Sequence, residues 1–213
     1  QAQLGPEVSS LLLKISSDIE ERADFNRYPC QCDWPIALEN ALEPYHIPLI
    51  HADTLATLEL GVGENEFYGE NSIWYSPVQN EKVAKRLKSL NRFYSTNDPF
   101  QGYMSIFLFP FSMISSTFGY SYSMQHFFPA ASTDTAFFTS RLYPSKNSEP
   151  RYKDMTSGFV QSSAEVNRKI FDEDHQICKR ISSKTWSTSP PRFTSTLEQK
   201  LLHFRRSCAK WNT

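Results

Sequence analysis

The chain has 213 residues, of which 39% are hydrophobic and 14% aromatic, and its formal net charge at pH 7 is -1. This length fits one domain or at most two small ones, and the composition can supply a sizeable core, which excludes a disordered chain. Because acidic and basic residues nearly balance and form no long run of one sign, we expect no capture of nucleic acid or of an anionic membrane surface.

The sequence carries no recognisable membrane anchor or secretory signal. Its longest apolar run, from Ile106 to Met113, is too short to span a bilayer and is interrupted by Pro110. An apolar signal core is also missing, because Leu11 to Leu13 is too short. We therefore expect a cytoplasmic protein whose cysteines are free thiols, since they show neither C-x-x-C nor zinc-finger spacing. These cysteines are Cys30, Cys32, Cys178 and Cys208.

The first part of the chain predicts helices around a short strand. Apolar residues at helical spacing predict a helix over residues 7–24. Residues 25–34 indicate an irregular lead-in followed by a short strand. Residues 36–45 predict a second helix that prolines end, because Pro48 is expected to push Ile47 out of the helical conformation.

The middle of the chain predicts β-structure. Residues 66–78 carry aromatics in a strand-like pattern with a turn near Gly69, and residues 80–90 favour a helix. Residues 102–143 are rich in Tyr, Phe, Ile, Ser and Thr, with turn residues between the segments. We expect four antiparallel strands there, at about 103–109, 113–117, 121–127 and 135–143.

The last part predicts helices. A loop over 144–151 precedes a long helix at 157–186, a break at 187–191 and a final helix at 196–211. Strands grouped together and long helices at the end favour an α+β domain with an antiparallel sheet over alternating βαβ units.

The stretch from Glu39 to His51 concentrates carboxylates, an amide, a phenol and two imidazoles directly after an apolar run. Buried polar groups must be paired or bound to a metal, so this clustering indicates a functional site. On an unbroken helix, His46 and His51 would point about 140° apart. We expect the proline break to turn the chain and bring both imidazoles to one point, as two ligands of a metal.

The long helix offers the third ligand. Its apolar residues from Val166 to Ile181 form a stripe about 60° wide at 100° per residue. Asp174 borders this stripe on one side and Glu173 on the other, whereas Asp172 and His175 point elsewhere, so periodicity leaves two candidates. Two imidazoles and one carboxylate suit non-haem Fe(II) and O2 chemistry, and zinc is the main competitor.

The run from Asp33 to His51, D-W-P-I-A-L-E-N-A-L-E-P-Y-H-I-P-L-I-H, resembles the iron-binding segment of the large (alpha) subunit of Rieske non-haem iron oxygenases, E-N-x-x-E/D-x-Y-H-x-x-x-x-H. The later F-D-E-D-H, Phe171 to His175, is similar to the family element that carries the carboxylate ligand. Leu197 to Phe204 is similar to the closing helix, and Phe107 to Pro110 matches a family strand loosely. The order and distances fit from about residue 27 to the end.

The resemblance implies a site for Fe(II) formed by His46, His51 and Asp174, which decides against Glu173. It implies that Glu43 is the bridging acid between this iron and a Rieske [2Fe-2S] cluster in a neighbouring subunit, with Asn40 in the same catalytic motif. Independently of the resemblance, Glu43 and His46 stand three residues apart and would share a helix face, which permits a hydrogen bond between them.

The resemblance also implies an antiparallel β-sheet of helix-grip (START-like) type wrapped around a long C-terminal helix, and a homotrimer. The implied reaction is O2-dependent hydroxylation or demethylation of a small organic substrate, with electrons from NAD(P)H through a separate reductase or ferredoxin. We expect phenylalanines of the sheet to wall an apolar pocket. The predicted substrate contacts are Phe107, Phe111 and Phe137.

The sequence departs from the family pattern in three respects. Asp33 stands in place of the usual Asn and Pro35 in place of Lys, and the Rieske motif, C-x-H followed by C-x-x-H, is absent. We expect residues 1–213 to be a single catalytic domain, with the Rieske domain preceding Gln1. One alternative is a non-redox ligand-binding module of the same fold, which the missing motif favours; another is a zinc hydrolase with Glu43 as general base.

Overall fold

In the computed structural model, which describes residues 3–96, 100–188 and 195–211, seven strands form one sheet that is antiparallel throughout. The strand order across the sheet is β1-β7-β6-β5-β4-β3-β2. The strands are β1 (Asp24–Cys30), β2 (Glu64–Tyr68), β3 (Asn71–Pro77), β4 (Gly102–Leu108), β5 (Ser112–Thr117), β6 (Ser121–Pro129) and β7 (Ala136–Pro144).

Seven α-helices accompany the sheet within these described ranges. They are α1 (Gly5–Asp18), α2 (Trp34–Leu42), α3 (Ile47–Ile50), α4 (Glu81–Leu90), α5 (Lys153–Cys178), α6 (Ser183–Thr188) and α7 (Gln199–Trp211). Short 3-10 turns lie at Leu55–Leu58, Asn91–Phe93, Pro150–Tyr152 and Thr196–Glu198. No helix of the described chain is both long enough and apolar enough to cross a bilayer.

The predicted α+β class and antiparallel sheet are confirmed. Strands β4 to β7 lie within two residues of their predicted bounds, because each is rich in residues that favour strands and is bounded by turn residues. The predicted turn near Gly69 joins β2 to β3, and Gly69 has a φ of 59°, which glycine adopts without steric cost.

The prediction of an irregular segment after residue 24 is wrong. Residues Asp24–Cys30 form β1, which pairs with β7 from Asp24 opposite Leu142 to Cys30 opposite Ala136. The exposed side of the strand carries Phe25, Arg27 and Pro29, while Asp24 and Asn26 lie on the more buried side. Polarity therefore does not alternate with burial along this strand, and its partner lies more than a hundred residues away, so the local pattern carried little signal.

The predicted helix over 36–45 is shifted and shortened. The Asp33 carboxylate accepts a hydrogen bond from the Trp34 amide and caps the start of α2. The helix ends at Leu42 because Glu43 is extended, with φ -105° and ψ 133°, as the residue before Pro44 must be. Pro44 therefore ends this helix. Pro48 instead lies in the first turn of α3, where a proline is tolerated.

The other helices also differ from prediction at their ends. Helix α1 stops at Asp18, before the predicted residue 24, and the long helix spans Lys153–Cys178 where 157–186 was predicted. A turn at 179–182 separates α5 from α6. Of the predicted break, residues 189–191 lie outside the described residues. The final helix is confirmed, and a capping box between Ser195 and Glu198 precedes it.

The sheet is covered on both faces. Helix α1 packs on one face, where Ile15 meets Met104, Ile106 and Ile114. Helices α2, α5 and α7 pack on the other face around a larger core cluster. That cluster includes Leu38, Leu42, Phe107, Met113, Phe127, Phe138, Ile170, Phe171 and Phe204. Long helix α5 thus packs against one face of the sheet, as the helix-grip prediction requires.

Phe204 attaches α7 to this core. Its side chain is 0% exposed and its ring lies 5.7 Å from Phe107 and 5.9 Å from Trp34, centroid to centroid. We expect Phe204→Ala to lower the free energy of unfolding by about 3–5 kcal/mol, since the cavity cannot be refilled. Urea denaturation measures this loss. Phe137→Ala, at a ring 39% exposed, is the control; an equal loss in both variants would contradict the assignment.

Candidate metal centre

The two histidines lie at either end of α3. Helix α3 is a single turn, Ile47–Ile50, with His46 as its N-cap and His51 as its C-cap. The ring centroids are 5.1 Å apart, so the predicted convergence is confirmed. The predicted break between the histidines is wrong, because His46 is helical and the Ile50 and His51 amides donate to the His46 and Ile47 carbonyls. The chain breaks before both residues, at Glu43 and Pro44, so the directions of the two side chains bring the rings together.

Asp174 reaches the same point from α5. On the scale that sets Val166 at zero, the buried face runs from Ile170 at about 40° to Phe171 at about 140°. Asp174, at about 80°, lies in the middle of that face. The predicted stripe was displaced, since Val166 is 40% exposed and Ile181, beyond the end of α5, is 41% exposed.

His46, His51 and Asp174 form a compact donor set. Their nearest ligand atoms all lie within 4.8 Å of one another. Asp174 Oδ1 is 3.0 Å from His51 Nε2 and 3.5 Å from His46 Nε2. Both histidines are buried, and His51 is 0% exposed.

The Nδ1 atom of each imidazole is paired with a glutamate carboxylate. Glu43 Oε1 lies 2.6 Å from His46 Nδ1, and Glu43 Oε2 accepts the His46 amide at 3.1 Å. Glu173 Oε2 lies 2.8 Å from His51 Nδ1 and also accepts the Thr54 hydroxyl at 2.9 Å. The Nδ1 proton is thereby assigned to the carboxylate side of both rings, which leaves each Nε2 lone pair directed at Asp174.

The electrostatics of His51 follow from these neighbours. Burial alone lowers the pKa of its imidazole, but hydrogen bonds and charge from Asp174 and Glu173 outweigh burial, so the pKa lies above its ordinary value.

Asn40 orients the carboxylate ligand. Its Nδ2 donates to Asp174 Oδ1 at 2.7 Å, the oxygen that faces both histidines. Asn40, which the sequence predicted to be catalytic, thus contacts the candidate ligand Asp174. Glu173, the rejected rival of Asp174, also belongs to the centre, as the partner of His51. Helical periodicity singled out Glu173 as a candidate ligand. Its role as a hydrogen-bond partner depends on contacts with Thr54 and His51, whose positions cannot be inferred from spacing within α5.

The donor set fits a divalent iron. With its proton on Nδ1, the buried His51 Nε2 faces the acceptor oxygen Asp174 Oδ1 at 3.0 Å and has no donor to pair with among the described residues, which is costly unless both atoms bind a cation. Two neutral imidazoles and one carboxylate, each fixed by a further hydrogen bond, are the ligands of non-haem Fe(II) oxygenases. His46, His51 and Asp174 would hold the ion.

Two cavities adjoin the centre. The smaller, about 50 Å³, is lined by the three ligands together with Glu43, Trp74, Tyr103, Ser105 and Lys200. The larger, about 380 Å³, lies between the sheet and α5 and is lined by many hydroxyl-bearing side chains. Tyr103, Gln125, Ile170 and Phe171 border both cavities.

The predicted substrate contacts lie elsewhere. Phe107 is 0% exposed within the core, against Phe204. Phe111 packs on Trp34 and Phe128, and Phe137 lies under Arg27 on the exposed side of β7. None of the three lines either cavity beside the triad. The composition that predicted the strands did not reveal which face of the sheet the cavities occupy.

The family model of the ring hydroxylating alpha subunit (catalytic domain) matches residues 17–213. The chain belongs to this family. The predicted resemblance is thereby confirmed. No curated protein sequence matches it.

Solved Rieske monooxygenases share the fold of this alpha-subunit domain. The quaternary ammonium Rieske monooxygenase CntA, in complex with the inhibitor MMV12, is 12% identical with a TM-score of 0.71 over 100% of this chain and 55% of its own. Dicamba monooxygenase bound to 3,6-dichlorosalicylic acid is 10% identical, with a TM-score of 0.56 over 88% and 58%. NdmA of Pseudomonas putida CBB5 with caffeine is 12% identical, with a TM-score of 0.55 over 86% and 50%. The chain spans about half the length of these proteins.

Lys200 is a buried cation beside the centre that sequence patterns did not single out. Burial lowers the pKa of its ammonium group to about 7. An unfolded lysine titrates near 10.4, so between these values the unfolded state binds a proton that the folded state lacks. Stability contributed by this residue therefore rises with pH across that window.

We expect the free energy of unfolding of the wild type, relative to Lys200→Met, to increase from pH 7 to about 10, by at most about 1.4 kcal/mol per pH unit. Urea denaturation of both proteins across this pH range measures the difference, in which titrations common to the two proteins cancel. A difference that stays constant with pH would contradict the lowered pKa.

Proposed function

We propose that this chain is the catalytic domain of a Rieske-type oxygenase that hydroxylates or demethylates a small organic substrate at a 2-His-1-carboxylate iron. One observation carries the proposal: His46, His51 and Asp174 direct three ligand atoms to one point, and the buried Nε2 of His51 has no other partner. The match of the chain to the ring hydroxylating alpha-subunit family supports it.

The residues of the chain hold the two rings in one tautomer and orientation. Glu43 and Glu173 accept the Nδ1 protons, so each Nε2 is left to face the ion. Asn40 donates to Asp174 Oδ1 and limits rotation of that carboxylate. When bound, Fe(II) would supply O2 activation beside the substrate, which occupies the cavity between the sheet and α5.

Glu43 also borders the outside of the domain. It lines both the small cavity at the centre and a surface groove that includes Tyr45, Leu49 and Ile181. We expect the groove to receive a neighbouring subunit of a homotrimer that carries a Rieske [2Fe-2S] cluster. NAD(P)H would supply electrons through a reductase or ferredoxin in the cytoplasm, with Glu43 as the bridging acid.

The metal ligands can be tested by iron content. We expect His46→Ala, His51→Ala and Asp174→Ala each to abolish iron binding, because each removes one of three ligands. Elemental analysis after reconstitution with Fe(II) measures the result. Asp172→Ala, an exposed carboxylate two residues from Asp174, is the matched control. Full iron content in Asp174→Ala would exclude the proposed triad.

The two supporting carboxylates should differ in effect. We expect Glu173→Gln to weaken iron binding about 10–100-fold, since it alters the partner of a ligand histidine. Glu43→Gln should retain iron but block turnover by the complete enzyme with its electron donors. Iron content and product formation are measured on the same samples. Normal turnover in Glu43→Gln would remove its bridging role and leave the metal centre intact.

A further inference from the structure

A single buried ammonium group faces the cavity of the proposed metal centre. Lys200, on α7, is 3% exposed, and its Nζ donates to the Ser105 carbonyl at 3.2 Å and to the Ser105 hydroxyl at 3.1 Å. An ammonium group has three N–H donors, so one donor remains beyond these two bonds. Lys200 lines the same cavity as His46, His51 and Asp174.

Lys200 has no ionic partner among the described residues. Its contacts are both to neutral oxygens of Ser105, and burial is what shifts its pKa, without a neighbouring carboxylate to oppose the shift. Asp174 and Glu43, the acids that share the cavity, are each engaged by histidines or Asn40. A buried charge without a counter-charge is destabilising, so its presence at a cavity points to a ligand that supplies the charge.

The cavity beyond Lys200 is polar where a sheet interior is ordinarily apolar. Ser105, Ser115 and Ser123 stand directly opposite one another on β4, β5 and β6, and all three are buried. Gln125 Nε2 reaches Ser115 and Ser123 only at 3.4 and 3.5 Å, which leaves it available to a ligand. Because a fully apolar substrate would leave these groups unpaired, the walls favour one with polar atoms.

We propose that Lys200 binds a carboxylate of the substrate and makes this oxygenase selective for small monocarboxylic acids. This inference rests on the proposed function, because it takes the cavity beside His46, His51 and Asp174 as the substrate site. A monoanion neutralises the one uncompensated ammonium group, whereas a dianion would leave a second buried charge beside Asp174 and Glu43. A quaternary ammonium group would place a cation against Lys200. The carboxylate end is thus held at α7, and the rest of the acid extends past the metal ligands into the larger cavity.

Matched probes separate charge recognition from fit. The wild-type chain is titrated by isothermal titration calorimetry at pH 6, below the pKa of about 7 at which Lys200 loses its proton. It is used metal-free and loaded with Fe(II) under anaerobic conditions. The probes are butyrate against butyramide, benzoate against benzamide, and butyltrimethylammonium. The metal-free protein removes direct binding of carboxylates to iron. Lys200→Met removes the charge, Lys200→Gln keeps a donor toward Ser105, and Lys82→Met, at an exposed lysine of α4, is the control.

In the metal-free wild type and in Lys82→Met, we expect each acid to bind at least about tenfold more tightly than its amide, as charge-assisted hydrogen bonds predict. In Lys200→Met and Lys200→Gln the preference should fall below about threefold. Both Lys200 variants are available for this comparison if one of them fails to fold.

Four outcomes would overturn the inference. The first three are wild-type protein that binds neither acid more tightly than its amide, an acid preference that survives in both Lys200 variants, and binding of butyltrimethylammonium in preference to butyrate. The fourth is loss of amide affinity together with acid affinity in both Lys200 variants, as expected if Lys200 only anchors α7, since loss of charge recognition alone weakens binding of the acids and leaves binding of the amides unchanged. A chain that binds no iron yet shows the Lys200-dependent preference would exclude the oxygenase proposal and retain this one.

Discussion

The pairing of two buried imidazoles with carboxylates is the interaction on which the rest of the structure depends. His46 and His51 lie inside the domain, where an unpaired polar group costs about 1–3 kcal/mol. Glu43 and Glu173 satisfy the outer nitrogen of each ring, and Asp174 faces the inner one. The histidines and Glu43 come from the turn around α3, and Glu173 and Asp174 come from α5. The fold must therefore fix the positions of these two segments relative to each other.

The fold meets this demand by packing α2 and α5 into one apolar cluster against the sheet. Leu38 and Leu42 of α2 and Phe171 of α5 belong to the same core, on either side of the Asn40 to Asp174 hydrogen bond. Asp174 is therefore held by its helix as well as by its own contacts. This arrangement also leaves a polar interior, because buried serines of β4, β5 and β6 occupy positions beneath the centre where apolar side chains would be usual.

That polar interior connects architecture to substrate choice. Three parts of the fold line the two adjoining cavities: the sheet contributes a row of hydroxyl groups, α5 contributes the Asp174 carboxylate, and α7 contributes Lys200. The related Rieske monooxygenases of known structure were solved with an inhibitor, with 3,6-dichlorosalicylic acid and with caffeine. At 10–12% identity they share the fold with this chain, and its own wall residues must decide what it accepts.

The sequence alone determined the features that depend on neighbours close in the chain. Strands β4 to β7 follow from residues that favour strands and from short turns, and the motif from Asn40 to His51 singled out two histidines and Glu43, which the structure places at one candidate centre. Tertiary structure decided the rest. Periodicity placed Asp174 and Glu173 at the edges of a helical face, but only contacts with the α2–α3 turn showed that one faces the ligands and the other supports His51. The predicted phenylalanines and the unpredicted Lys200 have the same explanation. A sequence pattern describes the residues within one segment. A cavity is formed by side chains from segments that face one another, and the segments that carry Lys200 and Ser105 are far apart in the chain.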